Sequence, residues 1–349
     1  MATGSAPRTR RIVSGALEGV LPSTARPAAP WAASRAGDDY GAPATPDWRD
    51  VDWSDRAHDI EIEGRRIRYA DIGPADAASD APPVVFVHGL GGNWQNWLEN
   101  LPSTAKGRRS LALDLPGFGS SEMPVEKISI AGYARTVDAW CEALGLGHVV
   151  IVGNSMGGFI GAELAISFPR RVERLALVAA AGISITNLRR RPAMTLTRVN
   201  TALSAWTIAR RHDMIVRPRL RHVTLSFVMR HPRRIPTDLL WEVLGGMGAG
   251  AFMPSMDALT TYDFRDRICE IGCPTLVVWG REDMLVPVKD AEQYERLIPN
   301  SRKVVMDDTG HVPMMERPST FNRELGHFLE EQTTPSSGRA KQDASSAAA

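Results

Sequence analysis

Lysine is scarce in this chain of 349 residues, with five against 36 arginines, which reads as the codon bias of a GC-rich genome rather than as a functional signature. The formal net charge is only +1, so the molecule as a whole lacks the basic excess of a nucleic-acid binder. Cysteine is also sparse: Cys141, Cys269 and Cys273 are an odd set, with no Cys/His spacing suited to zinc. That argues against both a secreted disulfide framework and a structural metal. No run of about 18 uninterrupted apolar residues is present, which speaks against a transmembrane helix. What is there is ordinary for a globular protein: 43% hydrophobic and 23% charged residues. At about 150 residues per domain the length suggests two domains, and it suffices to bury a large core.

The two ends have little periodicity. Residues 1–46 hold 17 Ala and Pro and are expected to be a disordered N-terminal tail. Two other readings compete, a surface-bound helix and a signal peptide, because Arg8, Arg10 and Arg11 precede the short apolar stretch Ile12–Leu17. Residues 332–349, rich in Ser and Ala, are expected to be a C-terminal tail.

Between the ends, strand and helix patterns alternate. His58–Glu63 and Arg66–Ile72 flank Gly64 as an antiparallel hairpin. Continuous apolar runs follow at Val84–Val87, Ser110–Leu113, Val149–Val152, Leu175–Val178, Leu276–Trp279 and Lys303–Met306. Such runs mark strands buried on both faces, as in a parallel sheet covered by helices. Helical patterns lie at Ala131–Leu144, Gly157–Phe168, Lys289–Leu297 and Pro318–Glu330, giving an α/β fold. The alternation breaks between Ile183 and Tyr262, where helical patches (Val199, Leu203, Trp206 and Ala209; Leu220, Val223 and Phe227) replace core strands. This insertion carries 12 Arg, no Lys, three Asp and one Glu, a formal charge of +8. His212, His222 and His231 fall within it and read as surface or cap positions.

Gly153-Asn154-Ser155-Met156-Gly157 fits G-x-S-x-G and stands between an apolar strand and a helical pattern rich in small residues. A turn that tight lifts the Ser155 hydroxyl above the sheet and sets the Met156 N–H beside it. A serine needs a base. Among eight histidines, His311 stands out, in the loop Asp308-Thr309-Gly310-His311-Val312-Pro313 after the last apolar strand. Asp283, past the strand Leu276–Trp279, is the carboxylate expected to orient it, with Glu282 a neighbouring candidate. Asp307 and Asp308 are assigned to the strand end or to capping. His88-Gly89-Leu90-Gly91-Gly92 follows the strand Val84–Val87, and the N–H groups of Leu90 and Met156 form the expected oxyanion hole. His88 is expected to prop its loop by hydrogen bonding, and Asp114–Ser121 to be a structural turn bordering the pocket.

His88-Gly89, the Asp114–Ser121 turn, Gly153–Gly158, Gly280-x-x-Asp283 and Gly310-His311 together resemble the α/β-hydrolase superfamily over residues 58–330. The order Ser155, Asp283, His311 is the one that family uses. The resemblance implies an α/β-hydrolase fold: a mostly parallel central sheet, helices on both faces, and a helical cap inserted between core strands 6 and 7. It divides the chain into core at 47–182, cap at 183–262 and core at 263–331. It assigns Ser155, Asp283 and His311 as nucleophile, acid and base, and it implies no metal and no organic cofactor.

Ser155 sets the chain apart from dehalogenases and epoxide hydrolases, which use an Asp nucleophile. The elbow is similar to that of carbon–carbon hydrolases of ring-cleavage products, but Val312 stands where those enzymes usually carry an aromatic residue. The stretch His311–Glu316 looks more like carboxylesterases and monoacylglycerol-type lipases. The expected activity is therefore hydrolysis of a small-molecule ester or lipid-like substrate. Carbon–carbon hydrolysis, acyl transfer and non-catalytic ligand binding are the alternatives. A cytoplasmic location is expected, with no nucleic-acid partner. The +8 insertion suits a solvated lid, an anionic substrate or peripheral contact with an anionic membrane. The oligomeric state is left open.

Overall fold

The computed structural model describes residues 23–74, 81–184, 211–246 and 249–331. Strands β1 (Ala57–Ile62) and β2 (Arg65–Ile72) form the expected hairpin. Its two-residue turn has Glu63 at φ 52° and Gly64 at φ 72°. Two positive φ values give the turn whose twist matches that of the flanking strands.

Six more strands follow: β3 (Val84–Val87), β4 (Ser110–Leu113), β5 (Val149–Asn154), β6 (Val172–Val178), β7 (Thr275–Gly280) and β8 (Ser301–Met306). They join one eight-stranded sheet in the order β1-β2-β4-β3-β5-β6-β7-β8. β2 runs antiparallel to β1 and β4, and every other neighbouring pair is parallel. This is the α/β-hydrolase architecture, with a helical insertion between β6 and β7.

Alternation along each strand divides the core in two. Val85, Val87, Ile151, Leu175, Leu177 and Val277 face one layer, made by α1 (Ile130–Ala143), α2 (Met156–Ser167) and α3 (Lys289–Leu297). Val84, Phe86, Val150, Val152, Ala176 and Leu276 face the other, where α4 (Pro318–Glu330) contributes Phe321, Leu325 and Phe328. Burial on both faces is why these strands read as unbroken apolar runs. Ser129 caps α1, its Oγ accepting from Gly132 N at 3.0 Å.

Two expectations need correction. Residues 23–46 are not a free tail. Ala28, Tyr40 and Ala44 are buried, and the segment lies against the insertion and the last core loops. Its lack of periodicity is no guide, because hydrogen bonds to distant residues and a few scattered apolar side chains hold it, not a periodic apolar face. The earlier residues 1–22, and 332–349, lie outside the described residues.

The insertion also packs differently from its apolar spacing. Its described helices are Arg211–Val216, Pro218–Leu225, Thr237–Val243 and Phe252–Thr261. Val223 and Phe227 face outward, 72% and 39% exposed, while Arg221, His222 and Leu225 are buried. The cause is the break between the first two helices. Arg221 turns inward to donate from Nε to Ile215 O at 2.8 Å, a carbonyl the break leaves open, and from Nη1 to Ile235 O at 3.1 Å in the loop before Thr237–Val243. Val199, Leu203, Trp206 and Ala209 lie outside the described residues. Among those described, no helix is long and apolar enough to cross a membrane.

Candidate active site

Ser155 caps α2 at φ 54° and ψ −114°, a backbone conformation that a residue with a side chain adopts only under strain. The neighbouring glycines make the turn possible. A Cβ on Gly153 would lie 2.3 Å from Gly157 O, and one on Gly157 would lie 2.1 Å from Val87 O. The elbow is tied down by Ser155 N donating to Val178 O at 2.9 Å and by Ala181 N donating to Ser155 O at 3.0 Å. Its side chain is left half-buried at the carboxyl end of β5.

Asp283 and His311 follow β7 and β8, which are adjacent in the sheet. His311 Nδ1 donates to Asp283 Oδ2 at 2.7 Å, with both side chains almost wholly buried. The other carboxylate oxygen accepts from Leu285 N at 2.8 Å and Val286 N at 2.9 Å. Asp283 is therefore held in one orientation, and with Nδ1 donating to it Nε2 is left as the acceptor. Glu282, the neighbouring candidate, points elsewhere: Oε2 accepts from Thr309 N at 3.1 Å, and Oε1 pairs with Arg35 at 2.9 Å.

Met156 is the first residue of α2, so its N–H belongs to the unpaired first turn. Leu90 lies in the loop after β3, whose Gly89 approaches the elbow so closely that a Cβ there would be 3.1 Å from Ser155 Cβ. Among the described residues, no acceptor faces the N–H of either Leu90 or Met156. Two free donors beside a strained serine form a ready anion site.

His88 is buried, and its Nδ1 donates to Gly89 O at 2.7 Å while its Nε2 accepts from Leu115 N at 3.0 Å. Burial pulls its pKa down to about 4, so the ring is neutral and braces the loop to the turn after β4. In that turn Asp114 accepts from Trp94 N at 2.7 Å and Ser120 N at 2.8 Å, and burial pushes its carboxyl up to about 6. Asp114 also borders a polar cavity of about 360 Å³ that Asn93, Gln95, Arg211 and Trp241 help to line.

Four side chains not expected in the site from the sequence converge here. Asn154 donates to His311 O, and Tyr40, Asp308 and Glu316 hold the histidine loop. Two readings change with them. His231 is not a surface residue but is buried against Asp308, and Asp308 is more than a strand cap. Glu316 had a faint signal, being the lone carboxylate after the apolar stretch Val312–Met315.

An α/β sheet with a serine elbow after β5, an Asp–His pair after β7 and β8, and paired free N–H groups defines the α/β-fold hydrolases as a class. Residues 82–318 match the alpha/beta hydrolase fold family, and the chain belongs to it. It is 29% identical over 279 residues to the dihydrolipoyllysine-residue acetyltransferase component of the acetoin cleaving system of Cupriavidus necator, covering 77% of this chain and 68% of that one. Among solved structures, it is similar to a membrane phospholipase A, a bacterial virulence factor. That match has 26% identity and a TM-score of 0.61, covering 78% of this chain and 85% of the other. It is also similar to Est816, an N-acyl homoserine lactone degrading enzyme, at 25% identity and TM-score 0.62, covering 78% and 100%.

Proposed function

We propose that the protein is a serine hydrolase that cleaves carboxylic esters of small or lipid-like substrates through an acyl-enzyme. The observation that carries this reading is the 2.7 Å bond from His311 Nδ1 to Asp283, which fixes the base in the tautomer a serine nucleophile requires. His311 Nε2 takes the Ser155 proton as Oγ attacks the ester carbonyl. The oxyanion is received by the N–H groups of Leu90 and Met156. His311 then protonates the leaving alcohol, and water, activated by the same imidazole, releases the acid and regenerates Ser155. Est816, whose structure is similar, degrades N-acyl homoserine lactones, which carry a carbonyl in a cyclic ester and another in an amide, and this supports an acyl carbonyl as the target.

Initial rates on p-nitrophenyl esters of increasing acyl length test the reading. Ser155→Ala is expected to lower turnover by roughly four to six orders of magnitude. Equal rates for both proteins on every ester would refute it. Acyl transfer is the second reading, favoured by the acetyltransferase component among the relatives. It predicts that an added alcohol or thiol is converted to its acyl ester in preference to free acid. Peripheral contact with an anionic membrane through the insertion belongs to the same proposal and rests on exposed Val216, Val223 and Phe227 near exposed Arg217 and Arg219. Flotation with liposomes that contain or lack anionic lipid tests it.

A further inference from the structure

The loop that carries His311 is held by two buried carboxylates, one on each side of it. Glu316, fully buried, accepts from Gly310 N at 3.0 Å and Val312 N at 3.2 Å, the two neighbours of His311 in the chain. It also accepts from Arg230 N at 2.8 Å and from the Tyr40 hydroxyl. Asp308, in the left-handed region at φ 55°, accepts from Ser34 Oγ at 2.9 Å, Arg35 N at 2.7 Å and Arg230 Nε at 3.3 Å, and pairs with His231 Nε2 at 3.0 Å. His311 N itself donates to Val228 O of the insertion at 2.8 Å.

Every N-terminal partner in this set lies between residues 34 and 41, since Gly41 N also donates to Glu316 O at 2.8 Å. The segment is fastened in turn by the insertion. Arg230 donates to Arg26 O at 2.6 Å, Arg233 to Pro30 O at 2.8 Å and Arg234 to Gly37 O at 2.8 Å. At its start, Ser23 Oγ donates to Asp283 O at 2.5 Å. Its polar contacts thus join the insertion to the two loops that carry the acid and the base. A buried carboxylate that loses one donor must draw harder on the rest or let water in. For Glu316 the remaining donors are Arg230 N and the two N–H groups flanking His311, so a change at Tyr40 is transmitted to the imidazole.

We propose that residues 23–41 form a strap that positions the general base, with Tyr40 acting through Glu316, and Ser34 with Arg35 acting through Asp308. This inference rests on the serine-hydrolase reading for its kinetic consequence, though not for its geometry. Ser34, Arg35 and Tyr40 are positioning residues: they touch the loop and not the reacting atoms.

The test uses the full chain carrying Ser34→Ala or Tyr40→Phe; the latter keeps the ring against His231 and removes the hydroxyl that donates to Glu316 and accepts from His231 N at 2.7 Å. Two readouts are taken at matched folding, checked by thermal melting. One is the rate of Ser155 labelling by a fluorophosphonate. The other is the low-field proton resonance of His311 Nδ1–H, assigned by its loss in Asp283→Asn. Labelling is expected to slow roughly 10- to 100-fold, the scale of a misplaced catalytic group. The resonance is expected to shift or broaden, and Ser34→Thr should restore both. Wild-type labelling with an unchanged resonance in the variants overturns the strap. Should Tyr40→Phe fail to fold, the Ser34→Ala and Ser34→Thr pair decides. If wild-type protein is not labelled at all, the hydrolase reading fails, and the strap stands or falls on the resonance alone.

Discussion

Asn154 and His311 are joined across the top of the sheet: the Asn154 side-chain amide donates to His311 O at 3.2 Å and to Val178 O at 3.1 Å. The residue before the candidate nucleophile therefore holds the loop of the candidate base. Asn154→Ala is expected to leave His311 O without this donor and to cost about 1–3 kcal/mol in urea unfolding. Ester turnover should fall by more than that loss of stability explains, because the elbow and the base loop lose a common anchor. Turnover unchanged at a temperature where the variant is folded would count against that coupling.

Glu282 and Asp283 are adjacent in sequence, yet only Asp283 reaches His311. Asp283→Asn presents the imidazole with the wrong partner and favours the wrong tautomer, so kcat is expected to drop about 10⁴-fold with the fold intact. Glu282→Gln keeps an oxygen for Thr309 N and is expected to stay within a few-fold of wild type. Steady-state kinetics on one ester compare the two, and similar losses would refute the assignment.

Gly157→Ala would set a methyl group 2.1 Å from Val87 O, where neither backbone can give way cheaply. The expected cost is about 3 kcal/mol or more, seen as a large fall in melting temperature. A variant that melts like wild type would mean the elbow is looser than its geometry.

His88 and Asp114 predict opposing slopes of stability against pH. The His88 pKa is about 4 in the fold against an ordinary 6.5. Its contribution is therefore complete above pH 6.5 and is lost as pH falls toward 4. The Asp114 pKa is about 6 in the fold against 3.8, so its contribution is complete below 3.8 and is lost as pH rises to 6. Each amounts to about 3 kcal/mol, and the two offset each other between pH 4 and 6. His88→Gln is expected to become less stable as pH rises through that window, and Asp114→Asn more stable. Parallel profiles for the two variants in urea melts would refute the pairing.

The sheet was legible because its signals are local. Val84–Val87 and Val149–Val152 are buried on both faces, and that condition writes itself into consecutive residues. The meeting of Asp283 and His311 was legible for a related reason, since both lie just past the carboxyl ends of neighbouring strands. What stayed hidden depends on partners far away in sequence. Arg221 and His222 are buried while Val223 is exposed, the reverse of what hydropathy suggests, because the helix break at Arg217 and the loop at Ile235 each supply a carbonyl for the guanidinium. Residues 23–46 carry no periodic pattern, so nothing in their own composition announces that Tyr40 ends against Glu316.

The strap also imposes an order on how the molecule is made. Tyr40 and Glu316 are 276 residues apart, so the segment bearing Tyr40 leaves the ribosome well before its partner is synthesised. At about 5–20 residues per second that interval is roughly 14–55 s. During it the sheet strands β1 to β7 are already available to pair, while the loop bearing His311 does not yet exist. Strands β1 to β7 are therefore expected to assemble first, and residues 23–41 to close over the loops bearing Asp283 and His311 only after Glu316 has been made.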